Sequence, residues 1–178
     1  MRARQPHLPA IWLVTDARND GALERIIARL PRGSGVIFRH YHLAGRERRA
    51  RFEAVARAAR RRGHVVVVAR QVRGWRADGV YRAPDSPKLS GKRGLILLTA
   101  HSLREIAAAN RARCDAIVLS PVFATRSHPG APTLGPVRFR LLAARALVPV
   151  IALGGMTARR AQSLGAPRWA AIDGLSPN

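Results

Sequence analysis

A chain of 178 residues that is 47% hydrophobic can bury most of its apolar surface as one domain, which excludes wholesale disorder. A lone cysteine, Cys114, excludes an internal disulfide and suits a reducing compartment. The formal net charge of +22, in which every basic residue except Lys88 and Lys92 is arginine, raises anionic partners: nucleic acid, phosphorylated metabolites or a membrane surface.

The opening MRARQPHLPAIWLVTD has an apolar run broken by Asp16 and no small-residue cleavage site, so it does not read as a signal peptide. No stretch approaches the length that crosses a bilayer, and a cytoplasmic location is the default expectation. The first apolar run, Ile11–Val14, ends at Thr15 and Asp16. A helical pattern of Leu23, Ile26, Ile27 and Leu30 follows and stops at Pro31. After the second run, 36–38, residues 46–62 alternate arginines with alanine, Phe52 and Val55 at helical spacing. They read as an amphipathic helix with a solvated basic face, ended by Gly63. The runs 65–68, 79–81 and 95–98 come next. The connections 70–78 and 82–93 are too brief and too rich in Pro and Gly for full helices.

A helix opens at Ser102, with Glu105 completing a capping box and Leu103, Ile106 and Ala107 inward. The run 117–119, a helix over 136–146, the run Val150–Leu153, a short helix over 157–164 and the run 169–172 complete the chain. Continuous rather than alternating apolar runs suit strands buried on both faces, and their alternation with helices implies a parallel sheet with right-handed crossovers. Eight such runs favour a minimal TIM-type (β/α)8 barrel, one domain over 1–178, with helices short or missing after strands 3, 4 and 8. The chain is short beside the roughly 250 residues typical of such barrels, and an open doubly wound sheet is the alternative.

Function in such a barrel sits in the loops after the strand C-termini. In order these offer Thr15 and Asp16; Arg39, His40, Tyr41 and His42; Arg70 and Gln71; Arg82 and Asp85; Thr99 and His101; the long stretch 120–135; Gly154, Gly155 and Thr157; and Asp173, Gly174 and Ser176. Gly154-Gly155 lets the backbone approach a ligand closely and opens into a helix whose first amides favour phosphate; a plain tight turn is the alternative. Thr125, Arg126, Ser127 and His128 in succession suit a phosphate or pyrophosphate. Cys114, between Arg113 and Asp115, reads as a buried small side chain rather than as a thiol activated by its arginine neighbour. The basic residues are scattered, with no basic tail, RNP-like aromatic pattern or zinc-finger spacing, so nucleic-acid binding is disfavoured.

WLVTD near the start, DGVY at 78–81, LTAHS at 98–102, PVFATRSH at 121–128 followed by LG, and VPVIALGGM at 148–156 resemble, in order and spacing, the thiamine-phosphate synthase/TenI family of small β/α barrels. The resemblance covers nearly the whole chain. It implies coupling of a pyrimidine pyrophosphate to a thiazole phosphate, with magnesium and release of pyrophosphate. On that resemblance Thr125, Arg126 and Ser127 belong to the pyrophosphate loop, where His128 replaces a lysine. Thr99 stands at the family's serine after strand five, Arg39 at an arginine after strand two, and Gly154 and Gly155 at the thiazole-phosphate loop.

The sequence departs from the family pattern in the other half of the site. Ile37 and Tyr41 replace a glutamine and a lysine, and Ala69-Arg70 replaces the Asn-Asp pair whose aspartate holds magnesium. Asp85, the nearest match to the second aspartate, is one position out of register. Arg70 and Arg82 are therefore read as anion clamps that partly replace Mg²⁺. The tautomerase branch of the family matches less well, since its acid/base histidine falls at Pro121; His101 or His40 would have to supply that chemistry. The expected activity is a synthase-type transfer on phosphorylated small molecules. The alternatives are a non-catalytic thiazole-phosphate or thiamine-phosphate binding paralogue and, remotely, a basic nucleic-acid-binding barrel. No membrane partner is expected, and a homo-oligomer stays open.

Overall fold

The structure, a computed structural model, describes residues 8–70, 74–86, 94–127 and 129–175; Gln71, His128 and Ser176 lie outside the described residues. Eight parallel strands pair in chain order: β1 Ile11–Val14, β2 Gly35–Phe38, β3 Val65–Ala69, β4 Gly79–Arg82, β5 Leu95–Ala100, β6 Ala116–Leu119, β7 Val150–Leu153 and β8 Trp169–Ala171. Strand β8 returns to β1 with Ile11 opposite Trp169, so the sheet closes into a barrel and the open-sheet alternative is excluded. Helices α1 Leu23–Arg29, α2 Gly45–Arg61, α3 Leu103–Arg111, α4 Gly135–Ala143 and α5 Ala158–Leu164 follow β1, β2, β5, β6 and β7. Among the described residues no helix follows β3, β4 or β8, as the short connections imply. Among the described residues no helix is long and apolar enough to cross a membrane.

The strands are largely apolar because they bury both faces, with Tyr81, Arg82 and Thr99 the exceptions toward the C-terminal ends of β4 and β5. Trp12, Val14, Ile37, Val67, Leu97, Val118 and Ile151 belong to one cluster that fills the barrel. Their neighbours Leu13, Val36, Phe38, Val66 and Val68 pack instead with Leu23, Ile26, Ile27, Phe52 and Val55 of α1 and α2. The bulk of Trp12 sets a local requirement: a Cβ on Gly35, its partner across β1 and β2, would lie 2.1 Å from the indole ring.

Three expectations need correction. Leu103 is 55% exposed, and α3 turns Ile106 and Ala109 inward, because its apolar stripe is centred one turn later than its first residue. The Ser102 hydroxyl accepts from the Glu105 N–H as expected, but the Glu105 carboxylate accepts from the N–H of His101, one residue further back than a capping box requires. The basic face of α2 is not wholly solvated. Arg48 is 8% exposed and donates to the carbonyls of His40, Ala69 and Arg70, with its guanidinium over the Phe38 and Trp75 rings.

A 3-10 segment, Ala17–Ala22, was not anticipated. Asp16 caps it, accepting from the Arg18 N–H, while Asn19 accepts from the Asp16 N–H and donates to the carbonyls of Val14 and Ile172. The first loop is thereby pinned to the ends of β1 and β8.

Candidate functional site

The C-terminal ends of the strands open into a cavity of about 1260 Å³. Most of the residues singled out by sequence line it together, among them Arg39, Arg82, Thr99, His101, Thr125, Arg126, Ser127, Gly154 and Gly155. Three others are placed elsewhere. Arg70 is absent from the lining and lies with its guanidinium 4.5 Å from the centre of the Tyr41 ring, and Tyr41 lines the wall. Asp85 is exposed and outside the lining. His40 is fully buried beneath the floor, stacked on Phe38.

Backbone hydrogen bonds close the long sixth loop on itself and join it to the loop after β7. The N–H groups of Leu134 and Gly135 donate to the carbonyls of Pro121 and Val122, both at 2.9 Å, and the Phe123 N–H donates to Gly154 at 3.1 Å. This close approach explains the glycine pair. Gly154 and Gly155 have φ of +99° and +58°, and a Cβ would lie 2.7 Å from Pro121 Cα in the first case and 2.4 Å from the Ala124 carbonyl oxygen in the second. Helix α5, opened by a Thr157 cap, has only seven residues. A helix dipole therefore contributes little here, and what the loop offers is close backbone approach and the surrounding side chains.

Two arginines in the wall escaped sequence reasoning. Arg18 ties three loops together, donating to Asp16 at 3.0 Å, Asp173 at 3.2 Å and the Ser127 hydroxyl at 2.8 Å. Arg160 donates to the Gly155 carbonyl and stacks over Phe123 at 4.9 Å. Arg18 falls two residues beyond the Thr15-Asp16 pair and Arg160 five beyond Gly155. Spacing alone marks both as loop-adjacent, but not as convergent.

The buried ionisable groups under this wall hold it in place. The Arg39 N–H donates to Thr15 Oγ1 at 2.9 Å, Thr15 Oγ1 lies 2.6 Å from His40 Nδ1, and His40 Nε2 lies 2.8 Å from Asp20. Burial pushes the His40 imidazole below its ordinary value, against the pull of Asp20, so the ring is held neutral. It supports the Arg39 backbone through Thr15 and is absent from the cavity lining. Burial alone would raise the Asp16 carboxyl, but the hydrogen bonds and charge of Arg18 and Arg39 outweigh it and hold Asp16 below the usual carboxylate range. Burial pushes the Tyr81 phenol up, keeping it protonated in the wall. Cys114 is buried and pushed up to about 11 by desolvation, which makes it an inert packing residue.

Magnesium, implied by the resemblance, needs hard oxygen ligands, usually one or two carboxylates beside substrate phosphate. Arg70 stands after β3 where one of those carboxylates would be, and Asp85, the nearest acid to the second position, is exposed and outside the lining. Among the described residues the acids at the cavity are Asp173 and, in an adjoining recess, Asp16; Arg18 bridges the two and occupies the space between them with a positive charge. Asp20, His40 and His42 approach one another within 4.8 Å, but they offer two nitrogens, and Asp20 is already held by Arg51 and His40. The residues present do not fit a magnesium site.

Comparison with known proteins agrees with the motif reading. Over 86 residues the chain is 35% identical to "Putative thiamine-phosphate synthase 2" of Aquifex aeolicus, a match spanning 46% of each protein. Its fold is shared with a thiamine phosphate pyrophosphorylase from Pyrococcus furiosus, with TM-score 0.77 and 22% identity over 92% of this chain and 85% of that one. It is also shared with a thiamine phosphate pyrophosphorylase from Bacteroides thetaiotaomicron, with TM-score 0.62 and 13% identity over 94% and 84% of the two chains. The family model described as thiamine monophosphate synthase matches residues 11–175, and the chain belongs to that family.

Proposed function

We propose that this chain is a synthase-type transferase that couples hydroxymethylpyrimidine pyrophosphate to thiazole phosphate, using arginines where its family uses magnesium. The observation that carries the reading is the convergence of Arg39, Arg82, Arg126 and Arg160 with the hydroxyls of Thr99, Thr125 and Ser127 in one cavity. In this chemistry the bond from the pyrimidine methylene to pyrophosphate breaks with little help from the nucleophile. The site must therefore stabilise the anion that leaves more than it must supply a strong base. Guanidinium groups bind phosphate oxygens in pairs and keep their charge at any working pH, so they can take over the electrostatic share of a metal's task. Arg126 and the hydroxyls of Thr125 and Ser127 would hold the pyrophosphate on the sixth loop, with Arg82 closing from β4. The approach at Gly154 and Gly155 would admit the thiazole phosphate. Arg70 would act at one remove, by fixing the ring of Tyr41.

One observation favours a binding-only paralogue instead. Ile37 is fully buried in the barrel and Ala69 has no polar side chain, so neither can hydrogen-bond a pyrimidine. Pure protein incubated with both substrates, with added Mg²⁺ or with EDTA, separates the readings. Thiamine phosphate is expected in both conditions. No product in either, with thermal stabilisation by thiazole phosphate alone, overturns the transferase in favour of the binding paralogue. Strict Mg²⁺ dependence, with Arg82→Ala and Arg70→Ala unchanged, overturns the arginine clamp.

A further inference from the structure

The second loop carries a cluster that the cavity does not use. His40 and His42 stand two residues apart beyond β2, and Asp20 reaches them from the 3-10 segment after β1. One ligand atom from each lies within 4.8 Å of the others. None of the three lines the cavity or its adjoining recess.

His40 is held from three sides. Its ring stacks on Phe38 at 4.8 Å with the planes 6° apart, its carbonyl accepts from Arg48, and its Nδ1 meets Thr15 Oγ1 at 2.6 Å. Nε2 is thereby aimed at Asp20 Oδ1, 2.8 Å away. A proton can fill that gap, with the Thr15 hydroxyl donating to Nδ1. A metal ion can fill it too: the ring hydrogen then sits on Nδ1 and donates to Thr15 Oγ1, which has two lone pairs and gives only one to the Arg39 N–H. Metal-binding histidines are commonly fixed in this way, by a partner on the nitrogen that does not bind.

The neighbouring charges leave a carboxylate for the ion. Arg51 donates to Asp20 Oδ1 through Nε at 2.5 Å, but its two terminal nitrogens reach both carboxylate oxygens of Glu24. Glu24 therefore answers the Arg51 charge, and Asp20 Oδ2 accepts no hydrogen bond among the described residues. His42 is exposed, with its ring centre 4.9 Å from that of His40, and can turn toward the pair. Two imidazole nitrogens and one carboxylate oxygen suit zinc, for the same reason that they disfavour magnesium. Zinc bonds of roughly 2.0–2.2 Å, set tetrahedrally, put ligand atoms about 3.4 Å apart. A small opening of the His40–Asp20 contact and a rotation of the exposed His42 reach that geometry.

We propose that Asp20, His40 and His42 form a zinc site, with water in the fourth position, that clamps the loop after β1 to the loop after β2. This role is structural and stands whether or not the chain is a transferase. Asp16 and Arg18 of the first loop and Arg39 and Tyr41 of the second line the recess beside the cavity, so the ion ties together the two loops that supply that wall.

Full-length protein stripped with a chelator and then titrated with Zn²⁺ tests the site by calorimetry and thermal unfolding, and Co²⁺ reports the coordination by its visible spectrum. Wild-type protein is expected to bind one equivalent, and Zn²⁺ at a hundred times its Kd should raise Tm by about 5–10 °C. Bound Co²⁺ should show the intense absorption of a four-coordinate ion. His42→Ala removes only an exposed side chain, so the fold should survive; zinc affinity should fall about 100-fold and the gain in Tm should vanish. His101→Ala, in the cavity, should keep both. Failure of the wild type to bind Zn²⁺ overturns the proposal. So does binding and stabilisation that His42→Ala retains in full, which marks an adventitious ion only, or a cobalt spectrum as weak as that of the hydrated six-coordinate ion.

Discussion

Arg48 offers the sharpest test of how this barrel holds its second and third loops. It sits in the first turn of α2, almost fully buried, with no carboxylate partner among the described residues. Its Nε donates to the His40 carbonyl at 3.1 Å, and its two terminal nitrogens donate to Ala69 at 2.6 Å and Arg70 at 3.3 Å. These carbonyls lie at or just beyond the ends of β2 and β3, beside Arg39 and Tyr41. The guanidinium also lies 5.6 Å from the Phe38 ring centre and 5.0 Å from that of Trp75. Arg48→Met keeps much of the volume and removes all of this. Three charge-assisted hydrogen bonds at about 1.5 kcal/mol each and two ring contacts at about 0.5 kcal/mol each give a gross loss of about 5.5 kcal/mol. Relief of the guanidinium's own desolvation offsets about 2 kcal/mol, leaving about 3.5 kcal/mol.

For a domain of this size that corresponds to a fall in Tm of about 7–14 °C, read by thermal unfolding. Arg49 supplies the control one residue away. Its i,i+4 pair with Glu53 is exposed on both sides, and Arg49→Met should cost less than about 0.5 kcal/mol. An Arg48→Met variant no less stable than Arg49→Met would refute the assignment of Arg48 as the clamp on the strand ends. Arg48→Lys should fall between, since an ammonium cannot span three carbonyls or stack as a plane.

Gly155→Ala should lose about 2 kcal/mol in urea unfolding, because a left-handed φ and a 2.4 Å approach to the Ala124 carbonyl both oppose a methyl group; an unchanged midpoint would refute the packing argument. His40 and His64 are both held below their ordinary 6.5 by burial, so the unfolded chain binds protons that the folded one refuses. Stability should be full above about 6.5 and fall as pH drops below it, before the carboxylates of Asp16, Asp20 and Glu24 add their own loss further into acid. His64→Gln should flatten the first part of that curve. Cys114 should resist iodoacetamide in the native state and react once urea unfolds the chain, and rapid native labelling would contradict its burial. Arg82→Gln should weaken pyrophosphate binding by about tenfold, the worth of one charge-assisted hydrogen bond, and Arg18→Gln should weaken it less; the reverse order would show that the anion sits on the other wall.

The barrel was legible because its strands are apolar on both faces, and continuous runs such as VVVV at 65–68 leave no other economical burial. Helix boundaries were less so: α3 begins with an exposed Leu103 whose hydrophobicity mimics an inward position. Arg48 had a visible signal that its charge concealed, since it lies on the same stripe as Phe52, Val55 and Ala59. The sixth-loop and glycine motifs located the cavity, yet no local pattern distinguishes the two loop histidines. His40 is buried because Phe38 stacks on it and Asp20 reaches it from the 3-10 segment, whereas His101 is held at the lining by a carbonyl on β6's far end. Arg18 is the extreme case, because its bond to Asp173 spans 155 residues of sequence and exists only once the barrel closes.

The arrangement of charge also says which wall the anion should meet. Arg18 and Arg39 face the cavity with their charge already answered by Asp16 and Asp173. Arg82 donates only to the carbonyls of Ala83 and Ser86, and Arg160 to that of Gly155, among the described residues. A carbonyl accepts a hydrogen bond but cancels no net charge, so these two guanidinium groups keep their full field in the cavity. The positive potential is therefore lopsided: weak beside β1 and β8, strong between β4 and β7. Thr99 and His101 lie on the strong side, whereas the sixth loop reaches across to the paired arginines, where Arg18 holds Ser127. A chain with few acids can build such a gradient without a metal, because the carboxylates it does have are spent on the wall where charge is not wanted.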